Sequence, residues 1–138
     1  MDYKELVKEA FKALENAYAP YSNFKVGACV LCKDGTTFYG ANVENASYGA
    51  AVCGERNAIF SAYSNGYRKE DIKAIAIVTN GTKNVGYPCG ICRQVFCELL
   101  EDETPIVLSN GTDIVITNIA EILPNSFSSK DLEWNLAL

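Results

Sequence analysis

Residues 88–92 read Pro-Cys-Gly-Ile-Cys, and residues 53–55 read Cys-Gly-Glu. In the first stretch Cys89 and Cys92 lie one helical turn apart behind a proline, a residue that is common where a helix begins. In the second stretch the cysteine and the glutamate are two residues apart, so both can face one site only in the first turn of a helix. We therefore expect two helix N-termini to meet at one point of the fold.

These stretches offer three ligands to a metal ion, namely Cys53, Cys89 and Cys92. Structural zinc sites use four protein ligands, whereas catalytic zinc sites use three and leave the fourth position to water. Bound zinc lowers the pKa of that water to about 7, and Glu55 is close enough to a ligand to carry the released proton. The pattern predicts one zinc ion per chain and metal-assisted hydrolysis, with Glu55 as the catalytic residue.

Arg56 follows Glu55 directly and is expected to support the metal site. Three thiolates give a zinc site a net negative charge, which opposes the loss of a proton from bound water. Hydrogen bonds from Arg56 to the thiolate sulfurs would offset that charge. The alternative is a surface arginine surrounded by solvent, which is the usual environment of this residue type.

A different set of four cysteines allows a second interpretation. Cys29 and Cys32, combined with Cys89 and Cys92, would form a structural zinc ribbon that has no catalytic function. The geometry is against it, because residues three apart on a strand face opposite sides of the sheet. We therefore expect Cys29 and Cys32 to be strand residues without a catalytic role, and Cys97 to be a packed helix residue.

Five stretches carry a resemblance to a known family. They read PYSNFKVGA at 20–28, NVENA at 42–46, CGER at 53–56, PCGICRQ at 88–94 and LPNSFSSKDL at 123–132. In these stretches the chain resembles the small homotetrameric cytidine deaminases, from the first helix almost to the C-terminus. Two positions depart from the family pattern, which usually has Ala where Gly54 stands and often Ser where Tyr87 stands.

The resemblance implies a hydrolase of pyrimidine salvage that converts cytidine and deoxycytidine to uridine and deoxyuridine. In that reaction a zinc-bound hydroxide attacks C4 of the pyrimidine, Glu55 transfers protons and ammonia leaves. A related alternative is a deaminase of a modified cytosine nucleoside, such as an antibiotic-inactivating enzyme of the blasticidin type. The polar pair Asn42 and Glu44 and the Phe-Ser-Ser at 127–129 favour the ordinary nucleoside.

The resemblance also implies which residues bind the substrate. Phe24 would line the base pocket, Asn42 and Glu44 would hold the 3′-hydroxyl of the sugar, and the backbone near Gly54 would contact the ring carbonyl. From the residues alone, Asn42 and Glu44 are equally well explained as the polar side of a turn.

Two aromatic residues, Tyr48 and Phe127, match family positions that reach into the site of a neighbouring subunit. The resemblance therefore implies a homotetramer with active sites at its subunit interfaces. The alternative is that both are ordinary core aromatics, since most aromatic side chains serve packing.

The hydrophobic pattern and turn residues predict a single domain over 1–138. The expected elements are helices at 2–18, 52–66, 89–100 and 119–123 and strands at 26–33, 36–43, 74–79, 105–109 and 113–117. We expect a three-layer α/β/α sandwich with a five-stranded mixed sheet, in which the second and third helices share one face and carry the metal. Only three residues separate the last two strands, so these two strands must be antiparallel. By the family resemblance, this arrangement is typical of deaminases that act on nucleosides.

Composition narrows the class of protein further. The chain has 138 residues, a formal net charge of −5, six cysteines and no histidine. It lacks the positive footprint of a nucleic-acid-binding protein, and histidine-dependent hydrolase machinery is excluded. No apolar run is long enough for a membrane span and no signal region opens the chain. We therefore expect a cytoplasmic enzyme with reduced cysteines, a small-molecule nucleoside substrate, and no membrane or nucleic-acid partner.

Overall fold

Five strands form one mixed sheet in the computed structural model, which describes residues 1–133. The last five residues of the predicted domain 1–138 lie outside this described part. The strands are β1 Val26–Cys32, β2 Thr37–Ala41, β3 Ile72–Thr79, β4 Ile106–Ser109 and β5 Ile114–Thr117. Their order across the sheet is β2-β1-β3-β4-β5. The helices are α1 Tyr3–Leu14, α2 Gly54–Ser64, α3 Gly90–Leu99 and α4 Ile119–Ile122. Short 3₁₀ turns occur at Tyr48–Ala50, Lys69–Asp71 and Ser129–Leu132.

Turn chemistry determines how the strands pair. The β1–β2 hairpin turns at Gly35, whose φ of 91° is a conformation that glycine adopts without steric cost. The β4–β5 connection turns at Gly111 with φ of 95°, and these two strands are antiparallel as predicted. β3 and β4 are parallel neighbours, because the crossover through α3 carries the chain back across the sheet.

Side chains alternate along β1 and divide the core into two layers. Cys29 packs in the layer against α1, whereas Cys32 packs in the layer on the opposite face, among residues of α2 and α3. Both thiols are buried, and burial raises the pKa of Cys29 to about 12 and that of Cys32 to about 11. The two cysteines therefore cannot join one metal site, and the structure excludes the zinc ribbon.

The layers agree with the predicted sandwich. α1 covers one face of the sheet, and α2 and α3 cover the other with α4. Leu6 and Ala10 of α1 are fully buried, as are Ala58 of α2 and Phe96 of α3. No helix within residues 1–133 has the length and apolar character needed to cross a bilayer.

The predicted ends of α1 and β2 lie too far along the chain, and one interaction explains both. α1 ends at Leu14 rather than near Tyr18, and β2 ends at Ala41 rather than Val43. Beyond these ends Tyr18 and Val43 form a parallel bridge, in which the Tyr18 N–H donates to the Asn42 carbonyl at 2.9 Å. Pairing between segments distant in sequence thus replaces the last helical turn and the end of the hairpin.

Candidate functional site

Two helix N-termini meet on one side of the sheet. Cys53 is the N-cap residue of α2 and Cys89 is the N-cap residue of α3, and both have extended backbone conformations. Neither side chain caps its own helix, so both sulfurs are free to face the space between the helices. Cys92 lies in the first turn of α3 and is fully buried. The positive ends of both helix dipoles favour negative charge at this point.

The three sulfurs fit a zinc ion. The Sγ atoms of Cys53 and Cys89 are 3.8 Å apart, and those of Cys89 and Cys92 are 3.4 Å apart. All three sulfurs lie within 4.8 Å of one another. Tetrahedral bonds of about 2.3 Å place two sulfurs about 3.8 Å apart, so the observed triangle needs little adjustment.

Arg56 lies against this cluster rather than in solvent. Its Nη2 donates to the Sγ of Cys53 at 3.5 Å, and its buried Nε has no hydrogen-bond partner among the described residues. Hydrogen bonding to Cys92, and then to Arg56 and Cys89, lowers the pKa of Cys53 to about 5. The same bond to Cys53 raises the pKa of Cys92, and burial adds to that effect. The surroundings therefore stabilise the thiolate form of Cys53.

Glu55 is the second residue of α2, and its side chain is only 4% exposed. Burial raises its pKa to about 7, to which the negative charge of Cys53 contributes, while the positive charge of Arg56 acts in the opposite direction. A carboxyl group with a pKa near the operating pH can accept a proton and release it again. These are the properties required of the predicted proton carrier.

A cavity of about 460 Å³ opens beside the sulfurs. This volume is in the range of small-molecule sites. Apolar, aromatic and polar side chains line the cavity. They come from the start of β1 and the residues just before it, the segment after β2, the start of α2, the end of β3 and the start of α3. The lining residues include Phe24, Asn42, Glu44, Tyr48, Cys53, Glu55, Arg56, Thr79, Tyr87, Cys89 and Ile91.

Asn42 and Glu44 both line the cavity, although β2 ends before them. The Asn42 Oδ1 accepts from the N–H of Val26 at 2.9 Å, and its Nδ2 donates to the carbonyl of Phe24 at 2.8 Å. The Glu44 carboxylate accepts hydrogen bonds from Tyr21 and Ser22. The bond from the Ser22 side chain contributes most to lowering the pKa of Glu44. Glu44 is therefore an ionised acceptor at neutral pH.

Gly54 occupies a different place from the other predicted substrate residues. It is buried and does not line the cavity. A Cβ at this position would lie 2.9 Å from the carbonyl oxygen of Val26 and 3.2 Å from the backbone nitrogen of Asn42. The missing side chain lets the start of α2 pack directly on the backbone beside the cavity.

Tyr48 and Phe127 are surface residues of this chain, not core aromatics. Tyr48 is 82% exposed at the rim of the cavity, and Phe127 is 60% exposed. Phe127 lies outside the cavity, where its carbonyl accepts from the Nε2 of Gln94 at 2.9 Å. The two predicted cross-subunit residues are thus available to a neighbouring molecule.

The sequence interpretation did not assign a role to the wall formed by Tyr87, Thr79 and Ile91. The Tyr87 ring packs near the guanidinium of Arg93, with 5.9 Å from the Arg93 Cζ to the ring centroid. Arg93 is itself held at 2.7 Å by the carbonyl of Pro88 and at 2.7 Å by that of Ile122. The sequence offered two signals for Tyr87, namely its position directly before the second cysteine motif and its departure from the serine that the resembled family often has there.

A larger depression of about 580 Å³ lies at the C-terminal end of α3 and contains several acidic residues. None of the predicted metal, catalytic or substrate residues lines it. We assign the site by its chemistry, because the sulfur triangle and the buried carboxyl group belong to the smaller cavity.

Comparison with known proteins agrees with this arrangement. The family model for the cytidine and deoxycytidylate deaminase zinc-binding region matches residues 1–108. A cytidine deaminase from Halalkalibacterium halodurans is 50% identical over 96% of this chain and 98% of its own length. A cytidine deaminase from Sporosarcina psychrophila is 44% identical over 97% of each chain.

Solved structures extend the similarity to the fold. The crystal structure of cytidine deaminase from Burkholderia pseudomallei has a TM-score of 0.88 and 47% identity, covering 92% of this chain and 100% of its own. The cytidine deaminase from Mycobacterium tuberculosis has a TM-score of 0.76 and 36% identity, covering 93% of this chain and 98% of its own.

Proposed function

The chain belongs to the cytidine and deoxycytidylate deaminase family of zinc-dependent enzymes, and we propose that it converts cytidine and deoxycytidine to uridine and deoxyuridine by hydrolysis. One observation carries this proposal. Two of the three clustered sulfur residues, Cys53 and Cys89, line the same cavity as the buried carboxyl group of Glu55. Asn42 and Glu44, which we propose to bind the sugar, line it as well.

Cys53, Cys89 and Cys92 would hold one zinc ion per chain. When bound, zinc supplies a Lewis acid that lowers the pKa of water into the neutral range. Glu55 would accept one proton of the attacking water and deliver it to N3 of the pyrimidine. It would then take the proton of the hydroxyl now bonded to C4 and deliver it to the amino group, which leaves as ammonia while the C4 carbonyl forms. Its pKa of about 7 supports both directions of transfer. Arg56 would hold Cys53 as a thiolate through the observed hydrogen bond.

The aromatic and polar side chains that line the cavity beside the sulfurs suit a nucleoside. Phe24 would pack on the base, and Asn42 and Glu44 would hold the 3′-hydroxyl. Among the described residues that line the cavity, Arg56 is the only cationic side chain, and it is engaged with Cys53. A phosphate group would therefore meet the Glu44 carboxylate without a compensating cation, which favours a nucleoside over a nucleic acid.

A homotetramer would complete the site. Tyr48 and Phe127 are exposed aromatic side chains, and aromatics of this kind are enriched at protein interfaces. We infer that they reach into the cavities of neighbouring subunits. All six cysteines are free thiols. This state suits a reducing cytoplasm, where the reaction would serve pyrimidine salvage. The whole chain, 1–138, would act as one catalytic domain.

The test is an ultraviolet absorbance assay of the purified protein with cytidine, deoxycytidine, adenosine and blasticidin S, with zinc content measured on the same sample. We expect cytidine and deoxycytidine to be deaminated by protein that contains about one zinc per chain. Failure of the zinc-loaded protein to deaminate cytidine would overturn the proposal, and turnover of blasticidin S alone would indicate the related enzyme class.

A further inference from the structure

A short loop, residues 21–25, binds the Glu44 carboxylate. One oxygen, Oε1, accepts from the N–H of Tyr21 at 3.0 Å and from the N–H of Ser22 at 3.1 Å. The other oxygen, Oε2, accepts from the hydroxyl of Ser22. A carboxylate has about four acceptor positions, so three are occupied by the loop and the remaining capacity can face the cavity.

The Ser22 hydroxyl makes a second contact. Its oxygen accepts from the N–H of Phe24 at 3.0 Å while its hydrogen is donated to Glu44. One hydroxyl group therefore connects the carboxylate of Glu44 with the backbone of Phe24, and both residues line the cavity. Asn23, between Ser22 and Phe24, has a φ of 57°, which closes the loop tightly enough for both contacts.

The loop has other anchors that do not involve Ser22. The side chain of Asn80 accepts from the N–H of Lys25 at 2.9 Å and donates to the carbonyl of Asn23 at 3.1 Å. Asn42 binds the backbone on both sides of Lys25. Removing the Ser22 hydroxyl therefore leaves the loop attached while freeing one side of the carboxylate.

We propose that Ser22 is a positioning residue, whose hydroxyl orients the Glu44 carboxylate so that it grips the 3′-hydroxyl of the bound nucleoside. This inference rests on the proposed function, because it takes Glu44 as the group that binds the sugar. Ser22 itself does not line the 460 Å³ cavity and acts through Glu44. Its effect is confined to substrates that have a 3′-hydroxyl to donate.

The test compares cytidine with 3′-deoxycytidine in the zinc-loaded enzyme. We expect Ser22→Ala to lower kcat/KM for cytidine about tenfold, mainly through KM, as for the loss of one oriented hydrogen bond to a charged group. The value for 3′-deoxycytidine should stay within about twofold, since that substrate never uses the carboxylate. Ser22→Thr keeps the hydroxyl and should restore the preference for cytidine.

Asn80→Ala is the matched control, because it loosens the same loop without touching Glu44. It should change both substrates by the same factor. An equal loss for both substrates in Ser22→Ala would show a purely structural role and overturn the proposal, as would an unchanged cytidine preference. If Ser22→Ala folds poorly, Ser22→Thr still decides the question. A Ser22→Thr protein that folds normally but has lost the preference for cytidine over 3′-deoxycytidine contradicts the inference.

Glu44→Ala separates this inference from the function on which it rests. If Glu44→Ala leaves the ratio of the two substrates unchanged, the sugar assignment of Glu44 is wrong and the inference about Ser22 is overturned with it. If Glu44→Ala abolishes the ratio and Ser22→Ala does not reduce it, only the role of Ser22 is wrong. In the Glu44→Ala background, adding Ser22→Ala should have no further effect on the ratio.

Discussion

Glu55→Gln should remove most of the activity while making the metal-free protein more stable at neutral pH. The amide occupies nearly the same space as the carboxyl group but cannot transfer a proton, and loss of a positioned acid–base group lowers rates by about 10² to 10⁴ fold. Zinc content should stay near one per chain, because the three cysteines are unchanged. Loss of zinc in this variant would identify Glu55 as a fourth ligand and the site as structural.

The gain in stability follows from the burial of Glu55. Its side chain is 4% exposed, and burial raises its pKa from the ordinary value of 4.5 to about 7. A buried acid with a raised pKa binds its proton more tightly in the folded chain. It therefore costs no stability below pH 4.5, an increasing amount up to pH 7, and a constant amount above that. The difference in pKa corresponds to an upper bound of about 3 kcal/mol.

The assay is urea unfolding of the zinc-depleted wild-type and Glu55→Gln proteins at several pH values. We expect the free energy of unfolding to be nearly equal at pH 4 and to be higher for Glu55→Gln, by about 2 to 3 kcal/mol, at pH 8. Equal stability at both pH values would show that the carboxyl group is solvated in the folded protein. The argument from burial would then fail, together with its use as a proton carrier poised near neutral pH.

Four further predictions concern the metal, the start of α2, the assembly and the substrate. Cys53→Ala, Cys89→Ala and Cys92→Ala should each lose zinc and activity by metal analysis, whereas Cys29→Ser and Cys32→Ser should keep zinc; the reverse pattern would contradict the assigned ligands. Gly54→Ala should lower the unfolding free energy by about 1 to 2 kcal/mol. The steric contact of a Cβ 2.9 Å from the Val26 carbonyl oxygen destabilises the fold more than the higher helix propensity of alanine stabilises it. Unchanged thermal stability of Gly54→Ala would show that the backbone near Val26 shifts to accommodate the Cβ without loss of stability. Sedimentation should give a tetramer, with Phe127→Ala weakening both assembly and turnover, and a fully active monomer would refute the shared site. Cytosine in a single-stranded oligonucleotide should remain unmodified, because the acidic chain offers no positive groove, and efficient editing would overturn the substrate assignment.

The sequence was sufficient for features that depend on neighbours along the chain. Cysteine spacing behind a helix start predicted where Cys53 and Cys89 would lie, and both are N-cap residues. Asp-Gly and Asn-Gly turns predicted two antiparallel pairs, since a short connection leaves no other geometry. The alternation of a strand predicted that Cys29 and Cys32 would face opposite layers, which excluded the ribbon.

Other features required segments that are far apart in sequence to meet. The end of α1 is set by the bridge from Tyr18 to Val43, and helical periodicity carries no information about that partner. The raised pKa of Glu55 depends on how completely α2 is covered, which is a property of packing between layers. The bond from Ser22 to Glu44 joins residues 22 apart, and Tyr87 enters the cavity only because α3 packs beside α2. Local sequence thus determined which chemical groups this protein carries and where its helices begin, whereas long-range packing decided which of those groups share one cavity and with what charge.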